Sequence, residues 1–482
     1  MNNNSLKKRL LSVAMAAVMV FSLLPATAWA AMAEDLPAAS GQARTEQKRG
    51  GSDTYTVTRD VKSVAAAQTG AVKKVTCLDL TTGEDKVSLD ADGGYRWVAG
   101  ANYLYLYKVQ IEAEGSNALI LPAGATVDVV GKCSITGGGA NECAVWSKGD
   151  VTVGLGQDAT LTVNGLGWRA EGNLTVAHAY DAYTGGELTV NYNGTSSDNG
   201  TSGAAIYMGG NTLCVEQGAR VTANGSGIGN VKAKDSCGVK GAVCVDGGAE
   251  LTADGGSAGS TGISCGIFGS VTVKNGTVTA NGGRGLQSYG VSGDSVSVSD
   301  GGVLNANGGT AVQDLNSGIK PISGGIYLGN NAVIENAAVN ASGGVAPCGD
   351  SFASVGLQMT SRSEVTVNSG GVLNANGGQL TNGSSANETN GFSAGINMMD
   401  ASAANLFVNG TGRVTAIGNP ERLDGGTVIS YGVTMRTWAS SPSSSAESPA
   451  SRLPAAPLPA ARRSHRTRCP SRAARPIGTL TT

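Results

Sequence analysis

Apolar and polar residues alternate along most of the chain in short runs that end in Gly or Asn. Ser270-Val271-Thr272-Val273 and Ser295-Val296-Ser297-Val298 are typical. Valine at every second position, with Ser or Thr between, is the period of a β-strand buried on one face. Asn-Gly, Asp-Gly and Gly-Gly pairs close the runs and supply the turns. The pattern predicts many short strands and almost no helix beyond the first 30 residues.

The strands fall into a repeated unit. Gly301-Gly302-Val303-Leu304-Asn305-Ala306-Asn307-Gly308-Gly309 recurs unchanged at 370–378, with looser copies at 276–283, 249–256 and 219–225. An alternating run precedes each full copy. Before that run stands a Gly followed by a large apolar residue, as in Gly266-Ile267, Gly290-Val291, Gly325-Ile326, Gly356-Leu357, Gly395-Ile396 and Gly432-Val433. The spacing of this mark varies because of polar insertions such as 381–390. A unit of three short strands cannot bury its apolar face alone. Stacking equivalent strands about 4.8 Å apart solves this and gives a long, thin core. The expected fold is an all-β, right-handed parallel β-solenoid (β-helix) with about three short strands per rung, spanning 76–437. The differing first rungs, 76–135, are expected to form its N-terminal cap. The blade signatures of a propeller and the Leu-rich helices of a horseshoe are missing.

Composition supports a long, thin core. Glycine supplies 73 of 482 residues, aromatics 5% and charged residues 15%, unlike a compact helical or α/β domain. At the front, Lys7, Lys8 and Arg9 precede the apolar stretch Leu10 to Leu24, then Pro25 and Ala28-Trp29-Ala30. That is a secretory signal peptide at 1–30, too short to span a bilayer, with cleavage expected after Ala30. Residues 31–75 read as a linker or disordered arm. No transmembrane segment is expected in the mature chain. The net charge of −2 hides a contrast: ten of the 34 basic residues, but of the 36 acidic ones only Glu447, lie in the leader or after Ala439, which leaves a body near −11. An acidic body argues against nucleic acid as a partner. From Ser440 onward Asn, Asp, Val and Lys vanish, while seven Arg and seven of the 13 Pro appear. The region 438–482 is a basic Arg/Pro/Ala-rich tail expected to be disordered. It is explained either by a shifted reading frame or by an arm for anionic wall polymers.

Leu78-Asp79-Leu80, Asn102-Tyr103-Leu104-Tyr105-Leu106 and Ala118-Leu119-Ile120-Leu121-Pro122-Ala123-Gly124-Ala125-Thr126-Val127 resemble the first part of Gly/Asn-rich repetitive β-helical exoproteins of Gram-positive bacteria. Some members of that group are described as carbohydrate-binding β-helix domains. The resemblance covers roughly 75–437, and its motifs are structural repeats. It implies the fold directly and carbohydrate binding only as an expectation.

Candidate chemistry is sparse. Two G-x-S-x-G strings, at 255–259 and 391–395, match the frequency expected of a Gly/Ser-rich chain, and His178, the only His of the body, is expected to face outward from a strand. No zinc-ligand spacing or calcium nonapeptide occurs. Asp246, Asp254 and Asp300 beside turn glycines leave room for structural calcium but suit turns on their own account. No cofactor is expected. In Tyr103-Leu104-Tyr105-Leu106-Tyr107 the Leu phase should face the core, leaving Tyr103, Tyr105 and Tyr107 either to stack on sugar rings or to be covered by the preceding segment. Cys237 and Cys265 occupy the same repeat position, as Cys143 does in a similar string. Stacked in neighbouring rungs, Cys237 and Cys265 would form either a disulfide or a free-thiol ladder.

The expected function is non-catalytic binding of extracellular or cell-wall glycan by a secreted or surface protein. A structural or adhesive stalk is the first alternative. A polysaccharide lyase-like enzyme is the second, and it lacks the paired carboxylates or aligned bases such chemistry needs.

Overall fold

A computed structural model describes residues 73–139, 142–179, 185–194, 203–225, 235–259, 262–313, 320–347, 353–381, 391–399, 404–420 and 429–435. The leader, most of the proposed arm and the basic tail lie outside the described residues. What is described is β throughout, apart from a 3₁₀ turn at Ala99–Ala101. Among the described residues no helix is long and apolar enough to cross a membrane.

Long parallel sheets dominate, and their register follows the repeat. Among the described residues one sheet has 12 strands, from Lys73–Thr76 through copies such as Thr277–Asn281, Val303–Asn307 and Val372–Asn376 to Arg413–Ile417. Its inward positions form two stacked columns. Leu188, Val221, Leu251, Val278, Leu304, Val339 and Leu373 make one, and Val190, Ala223, Ala253, Ala280, Ala306, Ala341 and Ala375 the other. All are essentially inaccessible. Burying each Leu or Val side chain contributes about 1.5–3 kcal/mol, so the long register, more than any single contact, stabilises the sheet. The outward positions carry Thr and Asn, and the Asn amides hydrogen-bond along the stack. Asn191 donates to Asn164 at 2.9 Å, Asn224 to Asn191 at 2.7 Å and Asn307 to Asn281 at 2.8 Å.

The Gly–apolar marks build a second parallel stack: Ile267, Val291, Ile326, Leu357, Ile396 and Val433 are consecutive partners. The alternating runs build a third through Val271, Val296, Ala332, Val365 and Leu406. In four units these two strands are continuous: Ala204–Val215, Ser236–Asp246, Gln287–Ser299 and Ile322–Glu335. Glycine makes the bend possible. Gly241 has φ +143, and a Cβ on Gly269 or Gly293 would come within 2.1 Å of the carbonyl oxygen of the preceding bend glycine.

A buried polar seam ties successive units together. Ser264, Ser288, Ser323, Ser354 and Ser393 are each fully buried. Each hydroxyl donates to a glycine carbonyl at the end of the preceding unit and accepts a backbone N–H from its own. Ser354 Oγ donates to Gly344 O at 2.7 Å and accepts from Gly378 N at 3.0 Å; Ser393 Oγ then donates to Gly378 O at 2.9 Å. The glycines are required for closeness, since a Cβ on Gly378 would sit 2.1 Å from Gly344 O.

Three early strands pair differently. Lys86–Leu89, Gly94–Val98 and Tyr103–Tyr107 form an antiparallel meander, and Tyr103–Tyr107 then joins Ala125–Val130 in parallel. One expectation is overturned. His178 is buried, because it continues the inward phase of Leu174 and Val176, stacks on Leu155, and accepts the Gly186 N–H on Nε2 at 3.3 Å.

Candidate functional site: an outward aromatic and basic column

The residue that follows each Gly–apolar mark, or the Ala–apolar pair that replaces it in some units, takes the phase opposite to the inward apolar residue before it. Register stacks these outward residues into one column: Ile120, Trp146, Arg169, Tyr207, Lys240, Phe268, Ser292 and Tyr327. Five consecutive members, Trp146 to Phe268, alternate aromatic and basic. All five are half-buried. Neighbouring units stand about 4.8 Å apart, so successive aromatics recur about every 9.6 Å.

The cations lie against the rings. Lys148 Nζ sits over Trp146, with the Arg169 guanidinium 5.5 Å from the same centroid, and Lys240 Nζ is 5.4 Å from that of Phe268. Such contacts are worth about 0.5–1 kcal/mol at exposed sites. Arg169 and Lys240 are balanced by Glu171 at 3.7 Å and Asp235 at 3.9 Å. The column therefore offers donors and ring faces with little net charge, a surface suited to a hydroxyl-rich ligand. Beyond Tyr327 it continues as Gln358 and Asn397, both buried, each with an amide oxygen that accepts no hydrogen bond.

The tyrosines singled out in the sequence form a separate patch. Leu104 and Leu106 are fully buried, and Tyr103, Tyr105 and Tyr107 take the opposite phase, each half-buried. The preceding strand lies beside them as an in-sheet partner, pairing Arg96 with Tyr105 and Tyr95 with Leu106. Tyr105 and Tyr107 stack on each other with centroids 6.5 Å apart, and Tyr103 donates its hydroxyl proton to Asp128. Burial, with smaller contributions from Tyr107, Cys133 and Asp128, pushes the Tyr105 phenol up to about 12.

Cys237 and Cys265 are direct ladder partners, fully buried beside Ala204 and Tyr289, with sulfurs 3.2 Å apart as two thiols. Cys143 lies outside that pair, several strands earlier. A second in-register pair, Cys214 and Cys244, was not visible in the repeat pattern.

Asp246, Asp254 and Asp300 end or follow strands, and Asp254 accepts from the Asn281 amide at 2.6 Å. Among the described residues no three His, Cys, Asp or Glu side chains gather as a metal site. Charged residues do align in one column, Glu187, Arg220 and Glu250, where Arg220 bridges to Glu250 at 3.1 Å.

No family model, curated protein or solved structure matches the chain.

Proposed function

We propose that this chain is a secreted or cell-surface right-handed parallel β-solenoid, with about three short strands per rung, that binds extracellular or cell-wall carbohydrate without catalysing its cleavage. The observation that carries the proposal is the outward alternation of Trp146, Arg169, Tyr207, Lys240 and Phe268 on five successive in-register strands. Aromatic faces stack on the apolar faces of sugar rings, while the guanidinium and ammonium groups donate to hydroxyls. A repeating polymer meets such a column at several points, and weak contacts then add through multivalency. The column is the principal contact surface of this reading, and Tyr103, Tyr105 and Tyr107 form a second patch for the same ligand.

A structural or adhesive stalk is the competing reading, and the buried serine–glycine seam, which links successive units by hydrogen bonds, favours it. Affinity electrophoresis through gels containing neutral and acidic polysaccharides separates the two. Retardation by at least one polysaccharide, with no release of reducing ends or unsaturated uronates, supports glycan binding. Migration unchanged in every gel supports the stalk, and released sugar ends support an enzyme.

A further inference from the structure

The strand Ser236–Asp246 carries two cysteines that meet partners on opposite sides. Cys237 faces Cys265 of the following unit inside a buried cluster. Cys244 faces Cys214 of the preceding unit. Leu213, Val215, Val243 and Val245 are buried in the core, so the alternation places Cys214 and Cys244 on the outward face, where both are half-exposed. They are direct partners in the parallel ladder. Adjacent strands stand about 4.8 Å apart, inside the Cα separation that a disulfide spans.

We propose that Cys214 and Cys244 form a solvent-accessible dithiol that a low-molecular-weight disulfide oxidises to a covalent bridge between neighbouring repeat units. One thiolate attacks a sulfur of the small disulfide RSSR, the S–S bond breaks, and RS⁻ departs to take up a proton. The second thiolate attacks the protein sulfur of the mixed disulfide and expels a second RS⁻. The protein loses two hydrogens, and RSSR is reduced to two RSH. Cys237 and Cys265 are closed to this exchange because burial denies the small disulfide an approach.

The surroundings set the rate. Thr175 and Thr272 flank the pair along the ladder and are uncharged. The charged neighbours are Glu216, Asp246 and Lys274, the last of these paired in register with Asp246. Burial first, then Cys244 and Glu216, raise the Cys214 thiol to about 11; burial, then Asp246 and Glu216, also raise that of Cys244. The reactive thiolate is therefore scarce at neutral pH, and its fraction grows about tenfold per pH unit below the pKa.

The test uses the full chain, reduced, freed of reductant and exposed while folded to oxidised glutathione. Alkylation, denaturation and trypsin follow; cleavage after Arg220 and Lys240 puts Cys214, Cys237 and Cys244 on different peptides, and fragmentation of peptide 241–274 separates Cys244 from Cys265. The expected product joins the Cys214 and Cys244 peptides with a loss of two hydrogens, and forms about a hundredfold faster at about pH 9 than at about pH 7. In Cys214→Ser, Cys244 should stop at a single glutathione adduct. Recovery of both thiols as alkylated residues, separate stable adducts at both, or an unmodified Cys244 in the variant would each overturn the proposal.

Discussion

Replacing Ser354 by Ala tests whether the buried seam holds successive units together. Ser354 is fully buried and makes two hydrogen bonds, donating to Gly344 O at 2.7 Å and accepting from Gly378 N at 3.0 Å. Alanine fits the same space, so packing is preserved and only the hydroxyl is lost. Gly344 is half-buried. Gly378 is buried, and its N–H is left without an acceptor. An orphaned buried donor costs about 1–3 kcal/mol, so the variant should lose about 2 kcal/mol, roughly a thirtyfold change in the local opening equilibrium. Hydrogen exchange of the segment 372–381 reads this directly and avoids treating a repeat array as one two-state unit. Ser297→Ala is the control, since Ser297 is exposed on the outward face of its strand; surface changes of this kind stay within about 0.5 kcal/mol. If Ser354→Ala and Ser297→Ala exchange alike over 372–381, the seam contributes nothing and the reasoning fails.

Two further outcomes follow from the same geometry. Gly378→Ala drives a Cβ to 2.1 Å from Gly344 O, a backbone atom that cannot swing aside; the variant should lose more than the roughly 1–3 kcal/mol of ordinary overpacking, seen as a lower urea midpoint, whereas an unchanged midpoint would show that the units separate freely there. Tyr105 should ionise near pH 12, well after exposed tyrosines, because burial disfavours its phenolate; ultraviolet titration should show a late step that Tyr105→Phe removes, and coincident titration of all tyrosines near pH 10 would contradict the buried environment.

Much of this arrangement was legible in the sequence, for a physical reason. A two-residue period with turn residues at its ends has few solutions, and identical units must stack in register to bury their Val and Leu. The nonapeptides at 301–309 and 370–378 accordingly supply Val303–Asn307 and Val372–Asn376, two strands of one sheet separated by Ala338–Ser342. The Leu104 and Leu106 phase followed from the same alternation. The outward column was harder to see because stacking there constrains position and not identity. Trp, Arg, Tyr, Lys and Phe share only the place after a small residue, Gly or Ala, and an apolar one, and that place was the available signal. Cys214 and Cys244 escaped notice because extra residues intervene at the bend of Ala204–Val215, where the register shifts between Tyr207 and Thr212. His178 was misplaced because a lone polar residue at a strand end gives no phase of its own; Leu174 and Val176 set it.

The most direct test of the central claim compares three forms of the protein on one retained polysaccharide: wild type, Trp146→Ala/Tyr207→Ala/Phe268→Ala, and Tyr103→Ala/Tyr105→Ala/Tyr107→Ala. Ring contacts worth about 0.5–1.5 kcal/mol each predict at least about a tenfold loss of affinity in the first variant, with its β-sheet circular dichroism unchanged, and a smaller loss in the second. Equal affinity of wild type and the Trp146/Tyr207/Phe268 variant would contradict the account.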